Sequence, residues 1–114
     1  MNSYMSLAVL VVYVGATSAD TPLAQFHREN DAAMERMMAA MRGSSSGDVD
    51  RDFVSMMTPH HMGAIDMAQL ELRYGSNEQL KRIAQEIIVT QRQEIDAMSL
   101  AIKDMPATHQ GDVR

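Results

Sequence analysis

Between Leu80 and Met105 the apolar residues return every three or four positions: Leu80, Ile83, Ala84, Ile87, Ile88, Ile95, Met98, Ile102 and Met105, with Gln91 on the same stripe. That is the period of an α-helix with one apolar face, and it excludes a strand, whose side chains alternate between two faces. A face of this length is stable only when another element covers it, so partners of similar length are required. No alternating pattern and no internal repeat occurs elsewhere in the chain. The fold class is therefore predicted to be all-α.

Punctuation residues divide the rest. A first helix starts near Thr21-Pro22, where Pro suits the first turn, and ends at Arg42-Gly43. Ser44-Ser45-Ser46-Gly47 reads as a loop, and Asp48 caps a second helix from Val49 to about Tyr74, stopped by Gly75. Ser76 and Gln79 form a capping box for the third helix, which runs to about Asp104, before Pro106. Short connections between long helices predict a small antiparallel bundle, open to completion by dimerisation. Pro59 removes a hydrogen bond to the Ser55 carbonyl, so a bend or local unwinding is expected just before His60.

The 114 residues suffice for one domain, expected over 20–106, with a polar tail over 107–114. There is no Trp and no Cys, so neither large aromatic rings nor disulfides can supply stability; twelve methionines take up much of that role. The net charge of −5 argues against binding nucleic acid by phosphate neutralisation. Residues 1–19 read as a signal peptide: Leu7 to Val14 is a short apolar run, and Gly15-Ala16-Thr17-Ser18-Ala19 offers small residues for cleavage after Ala19. No Lys or Arg precedes the run, which is also short for a membrane span of about 20 residues. Export to the periplasm or outside the cell, with no stable membrane anchor after cleavage, is the expectation.

Met56-Met57-Thr58-Pro59-His60-His61-Met62-Gly63-Ala64-Ile65-Asp66-Met67-Ala68 sets two imidazoles among four thioethers. Thioether sulfur is a soft ligand suited to Cu(I), imidazole binds copper in either oxidation state, and neither carries the reactivity of a thiolate. Helical spacing places Met56, His60 and Met67 on one face, with His61 about 100° round from His60. On the first helix His27, Met34, Met37, Met38 and Met41 share a stripe. Folding about the two loops brings Met34 and Met38 to the level of Phe53 and Met57, Asp31 near His60, Met98 near Phe53 and Gln91 near His60. Met34, Met56, Met57, His60 and Met98 are thereby expected to converge in a three-helix core. The competing reading is that these methionines simply fill that core, since flexible Met suits irregular interiors. Asp52 and Glu94 are expected to be solvated, salt-bridged or set to orient an imidazole. No zinc-hydrolase motif, carboxylate di-iron motif or phosphate-cradling loop occurs, and nothing marks an activated nucleophile, so catalysis is the weaker reading.

Asp52-x-x-x-Met56, Pro59-His60-His61-Met62-Gly63-Ala64-Ile65-Asp66-Met67-Ala68, Ile87-Ile88 and Gln91-x-x-Glu94-Ile95-x-x-Met98 together resemble the bacterial family of domain of unknown function 305, over about Phe26 to Ile102. Ser99-Leu100-Ala101-Ile102 stands where that family often has a Trp. The resemblance implies a ferritin-like, exported helical bundle, some relatives of which bind copper or silver through Met and His and support copper tolerance. Residue by residue it implicates Met56, His60, His61, Met67 and Met98. The full expected ligand set is His60, His61, Met56, Met57, Met67, Met34, Met38 and Met98. The expected function is sequestration or delivery of copper, Cu(I) before Ag(I) or Cu(II), with a copper-trafficking protein or a second copy as partner. The alternative is a metal-independent interaction or oligomerisation module.

Overall fold

The computed structural model of the chain describes Gly15, residues 21–43 and residues 45–107. The expected signal peptide and polar tail lie outside these residues, apart from Gly15 and Ala107. The described residues form three antiparallel helices: α1 (Pro22–Met41), α2 (Val49–Tyr74) and α3 (Glu78–Lys103). It is a small all-α bundle, as the periodicity predicts. Among the described residues no helix is long and apolar enough to cross a membrane.

Local chemistry sets the helix ends. The Thr21 hydroxyl accepts the Ala24 N–H at 3.1 Å ahead of Pro22. The Asp48 carboxylate accepts the Arg51 N–H at 3.0 Å, with Asp50 and Asp52 favourably placed in the first turn of α2. The cap of α3 is Asn77 rather than Ser76: its Oδ1 accepts the Leu80 N–H at 3.0 Å. Asn caps as well as Ser, so the helix starts one residue later than the capping box suggests. Gly75 ends α2 in extended backbone, φ −72°, and not in the left-handed conformation usual for a terminal glycine. Its smallness matters for a different reason, since a Cβ there would fall 2.6 Å from the Glu71 carbonyl oxygen. Pro59 does not unwind α2, which is helical throughout. Ser55 is exposed, a position where a helix tolerates a carbonyl without its usual partner.

The three helices do not share one core. α1 and α3 each pack along α2 and not against each other. Two stripes of α2 carry this arrangement: Gly63, Asp66, Leu70 and Arg73 face α1, while His61, Ile65 and Ala68 face α3. The buried apolar residues are Ala33, Ile65, Ala68, Leu70 and Ala84. Small residues at both seams let the helix backbones come close. A Cβ on Gly63 would lie 2.6 Å from the Met37 sulfur, so Met37 fills the space that this glycine leaves open.

The absence of a shared core corrects the expectation that Met34, Met56, Met57, His60 and Met98 converge. The α1–α2 register also differs. Met37 packs on Gly63, Arg36 approaches Asp66 at 3.5 Å and Glu29 meets Arg73 at 2.6 Å. Each lies about ten residues, or about 15 Å, further along α2 than a tight turn over residues 44–47 would give. Asp52 is the physical cause. Its Oδ1 accepts the Ser46 N–H and hydroxyl, both at 2.7 Å, and its Oδ2 accepts the Ser45 hydroxyl at 2.7 Å. The loop is thereby laid back along the first turns of α2, and α1 begins beyond it. Between α2 and α3 the displacement is one turn: Glu94, not Gln91, stands at the level of the His pair. Arg51 fixes the far end by donating to the Met105 and Pro106 carbonyls at 3.2 and 2.9 Å.

Candidate functional site

His60 and His61 diverge as the helical period requires. Their ring centroids are 6.2 Å apart with planes at 63°. His61 is 7% exposed and turns into the α2–α3 seam, whereas His60 is exposed.

Both nitrogens of His61 are engaged. Nδ1 lies 2.8 Å from the Met57 carbonyl oxygen, which can only accept, so Nδ1 carries a proton. Nε2 lies 2.6 Å from Oε2 of Glu94. The contact between Nε2 and the carboxylate joins α2 to α3. Met57 stands one turn before His61 and Met98 one turn after Glu94; on antiparallel helices the two thioethers come to the same level, both half-buried. His61 can offer a lone pair to a metal at this seam only after giving up one of its hydrogen bonds.

The opposite flank of α2 is open. Met56, His60 and Met67 follow spacings of four and seven, and all three are exposed, Met56 at 46% and Met67 at 43%. His60 makes no hydrogen bond within the described residues, so its ring nitrogens face solvent. From α1, Met41 comes to the same pocket as Met56, beside Ser45 and Asp52. Met34 and Met38 line a shallower depression further along α1. Met41 and Met56 are thus soft donors that two helices bring to one pocket, with His60 one turn further along α2. Met67 lies two turns from His60, and Met57 and Met98 belong to the other seam.

None of the described methionines is buried, so the core-filling role expected of Met falls instead to Ala, Ile, Leu and Gly. Met37 is the nearest to a packing residue. Among the described residues no three His, Asp or Glu side chains gather to hold a metal ion. Glu94, expected to be solvated, salt-bridged or set to orient an imidazole, contacts the His61 ring. Met41 was outside the expected ligand set, although it belongs to the Met stripe of the first helix.

The Asp52 carboxyl is held below the usual carboxylate range, first by the Ser46 hydroxyl, then by the Ser46 N–H and the Ser45 hydroxyl. At the other end of the α1–α2 seam, Glu29 accepts from Arg73 at 2.6 Å and from the Tyr74 hydroxyl at 2.5 Å, with the Arg73 guanidinium 5.8 Å from the Tyr74 ring centre. These clamps set where α1 lies, and hence which of its methionines reaches Met56.

A family model described as domain of unknown function (DUF305) matches residues 11–102. The match begins inside the segment read as a signal peptide and covers α1, α2 and all but the last residue of α3. No curated protein matches the chain.

Proposed function

The chain belongs to the DUF305 family, and on that footing we propose that it is an exported, non-enzymatic protein that binds copper, Cu(I) above all, for sequestration or delivery. The observation that carries this reading is the exposed pair Met56 and His60 on one face of α2, with Met41 brought alongside by α1. A methionine that serves packing belongs inside; the Met56 thioether stands in solvent, one turn from an imidazole that makes no hydrogen bond among the described residues. Thioether and imidazole together suit a soft monovalent ion, so Cu(I) and Ag(I) are favoured, and Cu(II) is held through imidazole. A donor set without thiolates also suits an oxidising compartment, consistent with the apolar run and small residues at the start of the chain. An exposed site lends itself to handing the ion to a copper-trafficking partner.

Anaerobic titration of the protein with Cu(I) against a competing chelator tests the reading. Effective competition is expected, with a loss of about tenfold or more in affinity when Met56→Ala is combined with His60→Ala. Failure to compete, or unchanged affinity in the double variant, overturns it.

A second reading, a metal-independent interaction module, is favoured by the apolar side chains that accompany His60 in solvent, Phe53 among them at 52% exposure.

A further inference from the structure

The exposed flank of α2 has a symmetry in its sequence. About His60, Phe53 and Met67 stand seven residues to either side, and Met56 and Ala64 four residues to either side. All five fall on one helical face. Beside this stripe, α3 contributes Leu80, Ile83 and Ile87, which share the flank of α3 that carries Glu94 and so border α2 on the His61 side. Because α1 and α3 both lie toward the opposite flank, where they border a groove lined by Met62, α2 stands out as a ridge here.

We propose that this ridge is covered by a second copy of the chain, with the two α2 helices antiparallel about a two-fold axis passing beside His60. Phe53 then meets the partner's Met67, an aromatic ring against a thioether, and it does so at the level of the partner's Ile83 and Ile87. Met56 meets the partner's Ala64, a large side chain opposite a small one, which is how facing helices interdigitate. The two His60 rings face each other across the axis. This inference concerns the metal-free chain, and the face it covers includes the Met56 and His60 of the copper reading.

The exposed area favours a second copy as the occupant. Phe53, Met56, Met67, Leu80, Ile83 and Ile87 are 36 to 52% exposed. Side chains of roughly 200 Å² at such exposure leave on the order of 90 Å² each in solvent, about 500 Å² together. That lies within the upper range of patches found on monomers and is more than half of the ~800 Å² that each partner contributes to a stable interface. A face whose residues match in pairs about one point is self-complementary, which is what an isologous dimer requires.

Sedimentation equilibrium of the full 114-residue chain with EDTA present is the first test. A dimer that dissociates on dilution is expected. Phe53→Asp should weaken it about tenfold or more with the helical circular dichroism unchanged, while Met62→Asp on the other flank should not. The chain has no cysteine, so single-cysteine variants report the register directly. His60→Cys should oxidise readily to a covalent dimer. Val49→Cys should not, because eleven residues from the axis place its two copies about 33 Å apart. A monomer at about 100 μM, which leaves the face to another protein or to the chain's own first residues, overturns the proposal. So does equal cross-linking of the two cysteine variants, or a dimer indifferent to Phe53→Asp.

Discussion

Nε2 of His61 lies 2.6 Å from Oε2 of Glu94, and this is the only polar contact between side chains of α2 and α3 among the described residues. The imidazole is nearly buried and the carboxylate half-exposed, so the bond is supported from one side only. Glu94→Ala is expected to lower the unfolding free energy by about 1 kcal/mol, since it leaves Nε2 facing an apolar seam without a partner. Glu94→Gln, which keeps the bonding geometry without the charge, should lose less. Urea denaturation followed by circular dichroism checks both; equal losses would mean that the contact acts through charge alone.

Gly63 and Met37 form a coupled pair. Alanine in place of a helical glycine ordinarily gains up to about 1 kcal/mol, but here the new Cβ would lie 2.6 Å from the Met37 sulfur. Gly63→Ala alone should therefore gain little or lose stability, and in a Met37→Ala background it should recover the full gain. A double-mutant cycle measures the difference, and additivity of the two changes would contradict the packing described.

Asp52 gives the α1–α2 loop a pH dependence. Its folded pKa lies below the unfolded value near 3.8, so the stability that it contributes is present above that value and lost as pH falls through the depressed folded one. Melting temperatures from about pH 6 to pH 2 should fall more steeply for the native chain than for Asp52→Asn. Parallel curves would show that the serine contacts are not maintained in solution.

Met41 should matter to copper although it lies outside the two-histidine segment. Met41→Ala is expected to weaken Cu(I) binding by about tenfold, whereas Met98→Ala on α3 should leave it within about twofold. Chelator competition on the two variants decides between them, and the reverse ranking would move the site to the seam between α2 and α3.

Helix number, helix type and most ends were legible in the sequence because they rest on local chemistry: the period of α3, the caps at Thr21 and Asp48, and the glycine after Tyr74. The divergence of His60 and His61 was equally legible, being fixed by the rotation per residue. Register was not. It depends on how the Asp52 carboxylate gathers Ser45 and Ser46, a contact that no periodicity announces, and an error there moves Met34 away from Met57. The missing contact between α1 and α3 was also hidden. An apolar stripe such as that of α3 declares that something covers it, but not which part of it stays open; Leu80 and Ile83 belong to that stripe and remain exposed.

Because α2 touches both other helices and they do not touch each other, the described residues form two helix pairs with one member in common. Either outer helix can come away while the remaining pair stays closed, so opening need not be cooperative across the whole chain. Amide exchange in α1 should respond to the Glu29, Arg73 and Tyr74 clamp and ignore Glu94, while exchange in α3 should do the opposite. The last helix to lose protection should be α2, and it is also the helix that carries both histidines of the pair.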